Sequence, residues 1–363
     1  MAKNIRAFCF FLPLFCFIIF LSCAGPTTKR APVDDQLTKE EAHKQRIIAL
    51  KTIMENKVRL FDLSRTILKG SISLCDEKRP DAGWILYNRF MFPDDFQDAL
   101  KESLGVDDSL TIVHMSVGSP ALNAGLKSGD KIARINDIEI PKTKEAATAY
   151  QKLWSGLDPS SLVKLTINRN RAEIKMDINP EPVCNCNVVL FMNDDINAFA
   201  DGKNVAVMQG MMRFAEKDRE LALVITHELA HNIMKHVAAQ KKNVMTGGFL
   251  GLIVDIAAAA AGVNTQGTFS DMGSRAGAMR YSQEFEYEAD YVGLYIMALS
   301  GFDIENAADF WRKMAAANPG SIKTSHSSSH PATAQRFVAL DNTVKEIKDK
   351  QAKGLPLKPE LKK

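Results

Sequence analysis

The stretch "THELAHNIMKH", residues 226–236, sets two histidines, His227 and His231, four residues apart, with Glu228 directly after the first. The run "RELALVI" (219–225) before it is apolar on nearly every side, as expected of a helix inside a core, and Asp218 is placed to cap that helix. At this spacing the two imidazoles project from one helix face, one turn apart. A polar group buried in a core is costly without a partner. Two imidazoles so arranged can grip one zinc ion, and Glu228 can take a proton from its water. The competing reading is a pair of satisfied core histidines.

A catalytic zinc needs a third protein ligand and one open position. The extended pattern His-Glu-x-x-His-x-x-Gly-x-x-His is excluded, because Met234 and Val237 stand where its glycine and last histidine would be. His236 falls one residue short of that position and reads as a surface or helix-end histidine. A better source is "YSQEFEYEADYVGLYIM" (281–297), in which Phe285, Ala289, Val292 and Ile296 make an apolar stripe. Glu286 and Asp290 share a face beside that stripe, and Gly293 allows a close helix approach. Glu286 can complete the metal site while Asp290 orients a ligand histidine through its free ring N–H. Glu284 and Glu288 read as solvated.

With these residues in view, His227-Glu228-Leu229-Ala230-His231, Glu286-Tyr287-Glu288-Ala289-Asp290 and "NAFADG" (197–202) resemble the gluzincin-type metallopeptidase family that includes CAAX prenyl proteases, HtpX and BepA. The resemblance implies a zincin-like fold and endopeptidase activity. It also implies His227, His231 and Glu286 as ligands of one zinc ion and Glu228 as catalytic base. A late His-Pro segment is part of the same pattern, and "SSSHPATAQRF" supplies His330 before Pro331. That resemblance gives His330 a role over the metal, although a histidine before a first-turn proline can also simply cap a helix. Arg336 reads either as a salt-bridge partner or as a polariser of the reaction's oxyanion.

The N-terminus carries Lys3 and Arg6 ahead of an apolar run from Ala7 to Leu21, then Ser22, Cys23 and Ala24. Charged start, short apolar core and small residues make an export signal. It resembles a bacterial lipoprotein signal, with Cys23 as the lipidated residue, and Ala24 after the cysteine points to the outer membrane. Cys75, Cys184 and Cys186 would then lie in an oxidising compartment. Neighbours two apart on a strand rarely bridge each other, so Cys75 with Cys184 or Cys186 is the expected pair. The apolar stretch over 244–263 reads as a lid or buried hairpin, since Asp255 near its centre disfavours a membrane span.

Between these landmarks, "LTIVHMSVGSPALNAGLKSGDKIARINDIEI" (110–140) runs strand, short helix, turn, strand, with Pro120 opening the helix and Gly125 closing it. The ordered set Ser119-Pro120-Ala121, Ala124-Gly125-Leu126, Gly129-Asp130 and Ile135-Asn136 resembles a PDZ domain of the bacterial protease type, a class that binds extended chain ends by strand addition. "DAGWILYN" (81–88) is a weak candidate for its carboxylate-binding loop. The expected fold class is therefore α+β. Signal (1–22), tether (23–35), helical region (36–105), PDZ-like domain (106–180), mostly helical metallopeptidase domain with a small sheet (181–345) and solvated basic tail (346–363) follow in order.

Composition bounds the partners: with 46% hydrophobic and 25% charged residues the chain reads as globular. A net charge of only +3, with no basic run interleaved by aromatics, excludes nucleic acid as an expected partner. The expected function is a zinc-dependent, lipid-anchored endopeptidase of the cell envelope, on the periplasmic face of the outer membrane. Its expected substrates are envelope proteins, misfolded ones among them, lying extended along a strand edge near "NVAVMQG" (204–210). The alternative is a PDZ adaptor or holdase with a latent metallopeptidase domain.

Overall fold

A long helix, α1 (Asp35–Gly70), runs ahead of every strand, and its N-terminus is held where the Asp34 carboxylate accepts from the Leu37 N–H at 2.9 Å. The computed structural model describes residues 26–246, 271–272, 282–317 and 333–360. Cys23, His330 and nearly all of 244–263 lie outside them. The chain divides into two units, Met1–His43 and Lys44–Lys363. No helix among the described residues is long and apolar enough to cross a membrane.

Within the second unit, α1 serves two cores. Leu50 and Met54 are buried with Tyr87, Leu100 and Val106, while Leu60, Leu63, Ile67 and Leu68 enter the largest apolar cluster. The PDZ-type sheet has six strands. They are β2 (Trp84–Tyr87), β3 (Leu110–Met115), β4 (Lys131–Ile135), β5 (Ile138–Glu139), β6 (Val163–Arg169) and β7 (Ala172–Ile178), in the order β2-β3-β4-β6-β7 with β5 on β4. The sheet thus reaches back to Trp84, upstream of residue 106, where the sequence places the start of this unit. The strand is hard to read because both its faces are covered, so it lacks polar alternation. Trp84 and Leu86 pack in the PDZ core, whereas Ile85 and Tyr87 pack toward α1 and α2 (Gln97–Leu104). The short helix α3 (Pro120–Asn123) starts at Ser119, whose hydroxyl accepts from the Leu122 N–H at 3.2 Å. Helix α4 (Ala146–Ser155) closes the domain, with Tyr150 and Trp154 against Trp84.

A two-stranded ladder, β1 (Lys78–Asp81) with β8 (Glu181–Cys184), joins this domain to the next. Arg65 of α1 braces it, donating to Asp81 at 2.6 Å and to Glu181 at 2.9 Å. The disulfide joins Cys75 to Cys184, and Cys186 is a buried free thiol.

The remaining sheet has β11 (Asn204–Met208) between β10 (Ala198–Ala200), antiparallel, and β9 (Asn187–Phe191), parallel. This corrects the expected substrate edge: β11 is paired on both sides and cannot accept a further strand. Helices α5 (Gln209–Phe214), α6 (Asp218–Ile233), α7 (described over 236–246), α8 (Ser282–Leu299), α9 (Ala307–Ala317) and α10 (Ala334–Ala352) complete the order. Lys217, not Asp218, is the capping residue of α6; Asp218 opens the helix and accepts from Arg59 at 2.8 Å. The expected solvated tail is likewise corrected. Helix α10 continues to Ala352, Leu357 packs on the core, and the Glu360 N–H donates to the Tyr291 hydroxyl at 3.1 Å.

Candidate metal centre

Every residue of α6 from Leu221 to Ala230 is buried, because the helix lies between the small sheet and α8. Close approach of the two helices depends on Gly293, where an added Cβ would stand 3.2 Å from the Cα and N of His227. This contact brings the ligand-type side chains of the two helices together. His227 Nε2 lies 3.2 Å from His231 Nε2 and 3.5 Å from Glu286 Oε2, and His231 Nε2 lies 3.3 Å from Glu286 Oε1. One donor atom from each of the three falls within 4.8 Å of the other two, a spread that a single metal ion can bridge.

Behind these atoms sits an ordered support. His227 Nδ1 is 2.9 Å from Asp290 Oδ1, which leaves Nε2 to face the shared point. Arg336, at the start of α10, holds Asp290 by two nitrogens and reaches Glu286 Oε2 with a third at 3.3 Å. Trp311 of α9 lies against both, its ring 5.1 Å from that of His227 and 5.2 Å from the Arg336 guanidinium. Nothing in the spacing of the sequence signals Trp311, since it arrives from a separate helix.

Charge decides what this pocket can hold. Glu228, Glu286 and Asp290 are buried carboxylates, and among the described residues Arg336 is the buried guanidinium that faces them. With neutral imidazoles the group carries an excess of negative charge that a divalent cation offsets. Burial alone would push His227 down, yet the carboxylates of Asp290 and Glu286 outweigh it and raise its pKa. Burial likewise opposes ionisation of Asp290, and Arg336 and His227 outweigh it, holding the carboxyl below its usual range. Two imidazoles and a carboxylate, with this excess negative charge, fit a divalent cation.

His236 departs from its sequence reading. It is 3% exposed, its Nδ1 is 2.9 Å from His231 Nδ1, and its Nε2 is 2.8 Å from Glu288 Oε2. Helical spacing does not reveal this pair. Helix α6 ends at Ile233, and Lys235 at φ +59° turns the chain back before α7 begins. Glu288, expected in solvent, is half-exposed and holds that histidine.

The profile of Peptidase family M48 matches residues 167–344, and that of a PDZ domain matches 98–179. The chain carries an M48 peptidase domain. Among curated relatives, the beta-barrel assembly-enhancing protease of Escherichia coli K12 is 32% identical over 134 residues, 34% of this chain and 27% of that one. Its counterpart from Yersinia pestis is 34% identical over 135 residues, 35% and 27% of the two chains. The mitochondrial metalloendopeptidase OMA1 of Schizosaccharomyces pombe is 31% identical over 158 residues, 43% and 45% of the two chains. The chain thus spans about a quarter of the length of the first two relatives. A solved HtrA3 PDZ domain bound to a phage-derived ligand overlays with a TM-score of 0.24 at 19% identity, covering 30% of this chain and 90% of that one.

Proposed function

We propose that the chain is a zinc-dependent endopeptidase of the bacterial cell envelope, acting on envelope proteins that include misfolded ones. The observation that carries this reading is the convergence of His227, His231 and Glu286 beside Glu228, on two helices that Gly293 holds together. His227, His231 and Glu286 are the residues that would hold the ion. When bound, zinc supplies the Lewis acidity that polarises a peptide carbonyl and acidifies a water.

Glu228 takes the proton from the attacking water and returns it to the leaving amine. Asp290 fixes the ring of His227, and Arg336 fixes Asp290, so the ligand-bearing face is set before substrate arrives. His330 is assigned a place near the reacting oxygen on resemblance alone. An extended substrate requires a free strand edge, and β10 has one outer side unpaired among the described residues while it packs beside α6. Main-chain pairing there tolerates many side chains. In the PDZ-type sheet β2 is also an edge strand, suited to a second extended segment of the same substrate. The lipid anchor at Cys23 and the outer-membrane location belong to this proposal through the signal-like N-terminus.

The test is metal analysis of the purified full-length chain, with cleavage of an unfolded protein such as casein. One zinc per chain is expected, with cleavage lost to a chelator and restored by zinc. A metal-free chain that still cuts would overturn the assignment.

A further inference from the structure

His236 contacts His231 across five residues, a pairing that an uninterrupted helix does not make, since helical neighbours lie three or four apart. The contact exists because Lys235 adopts a left-handed backbone, unusual for a residue with a side chain. The returning ring then stacks on Phe285 of α8, with centroids 4.5 Å apart and planes 19° apart, and its second nitrogen meets Glu288 of the same helix. Ring plane and both nitrogens of His236 are therefore fixed by α6 on one side and α8 on the other.

We propose that His236, anchored by Glu288, is a positioning residue that sets the tautomer and ring plane of His231 for metal binding. The inference rests on the zinc reading of the site above. If His231 Nε2 faces the metal with its lone pair, its proton must sit on Nδ1. His231 Nδ1–H then donates to His236 Nδ1, the proton of His236 sits on Nε2, and that N–H donates to the Glu288 carboxylate. Each nitrogen in this chain has one role consistent with the next. It is the counterpart, for His231, of the arm that Asp290 gives His227. The two arms differ in kind: one is a buried carboxylate clamped by Arg336, the other an imidazole relayed to a half-exposed carboxylate.

The experiment compares the full-length wild type with His236→Phe and Glu288→Ala by chelator competition for zinc, with thermal unfolding of each metal-free protein alongside. Phenylalanine preserves the stack on Phe285 but removes both hydrogen bonds. Zinc affinity is expected to fall about 10–100-fold in His236→Phe, and a smaller but measurable fall of several-fold is expected in Glu288→Ala. The metal-free melting temperatures should stay close to wild type. The visible spectrum of the cobalt-substituted protein should also shift in His236→Phe, because the ligand field at His231 changes. Unchanged zinc affinity in both variants would overturn the proposal and leave His236 as a brace between helices. If His236→Phe does not fold, Glu288→Ala decides alone, because it alters a half-exposed group. Failure of the wild type to bind zinc would instead refute the metal site itself.

Discussion

Arg336 grips Asp290 through two parallel hydrogen bonds, Nε to Oδ2 at 2.7 Å and Nη2 to Oδ1 at 2.8 Å, deep in the M48 domain. Removing one partner of such a buried pair strands the other charge, at a cost of about 3–5 kcal/mol. Arg336→Ala is therefore expected to lower unfolding stability by roughly that amount in urea titrations. Arg336→Lys keeps the charge but not the two-pronged geometry, and should recover only part of the loss. A change below about 1 kcal/mol in the alanine variant would show that Asp290 is not held by this contact.

Gly293→Ala tests the helix approach. A Cβ there would stand 3.2 Å from backbone atoms of His227 and Thr226, which cannot swing aside as a side-chain end could. The expected cost is about 1–3 kcal/mol of overpacking, with weakened zinc binding as Glu286 moves off from the histidines. Wild-type affinity in a stable Gly293→Ala protein would show that the helix spacing has slack.

The disulfide between Cys75 and Cys184 closes a separation of 109 residues. Chain-entropy reasoning gives about 4–5 kcal/mol for a loop of this size. The double variant Cys75→Ala and Cys184→Ala should lose about 2–5 kcal/mol in chemical denaturation. Reducing agent should destabilise the wild type but leave the variant unaffected.

Burial raises the Cys186 thiol to about 11, against about 8.5 for a free thiol. The folded state thus keeps a proton that the unfolded chain loses first. Its contribution to stability is present below about pH 8.5 and is lost as pH rises through the folded value near 11. Urea titrations over that range should show a shallower alkaline decline in Cys186→Ala than in wild type. At about pH 8, alkylation mapped by mass should reach Cys186 only after denaturation.

These contacts show why parts of the site could be read from the sequence and others could not. His227, Glu228 and His231 obey one helix, and Glu286, Asp290 and Gly293 obey another, so fixed spacings bring out each set. The mixed helix and sheet class follows from strand alternation and helical spacing, and the PDZ unit from the resemblance of its ordered residue set to that domain; both stand in the structure. His236 escaped because its contact depends on a backbone reversal at Lys235 that no helical period encodes. Strand β2 escaped because its two faces meet different apolar clusters. The central place of β11 was hidden for a similar reason: it is apolar enough for either edge or middle, and only the pairing of β9 and β10 on its two sides decides.

Glu228 offers the most direct test, because it is buried beside His227 and His231 on the same helix and is not one of the three converging donors. The measurement is zinc content and casein cleavage of the full-length Glu228→Gln variant beside wild type. The variant should retain one zinc per chain and its fold while losing cleavage by at least about a hundredfold, the range of general acid–base catalysis. A zinc-loaded Glu228→Gln protein that cuts at the wild-type rate would contradict the assignment of Glu228 as the base.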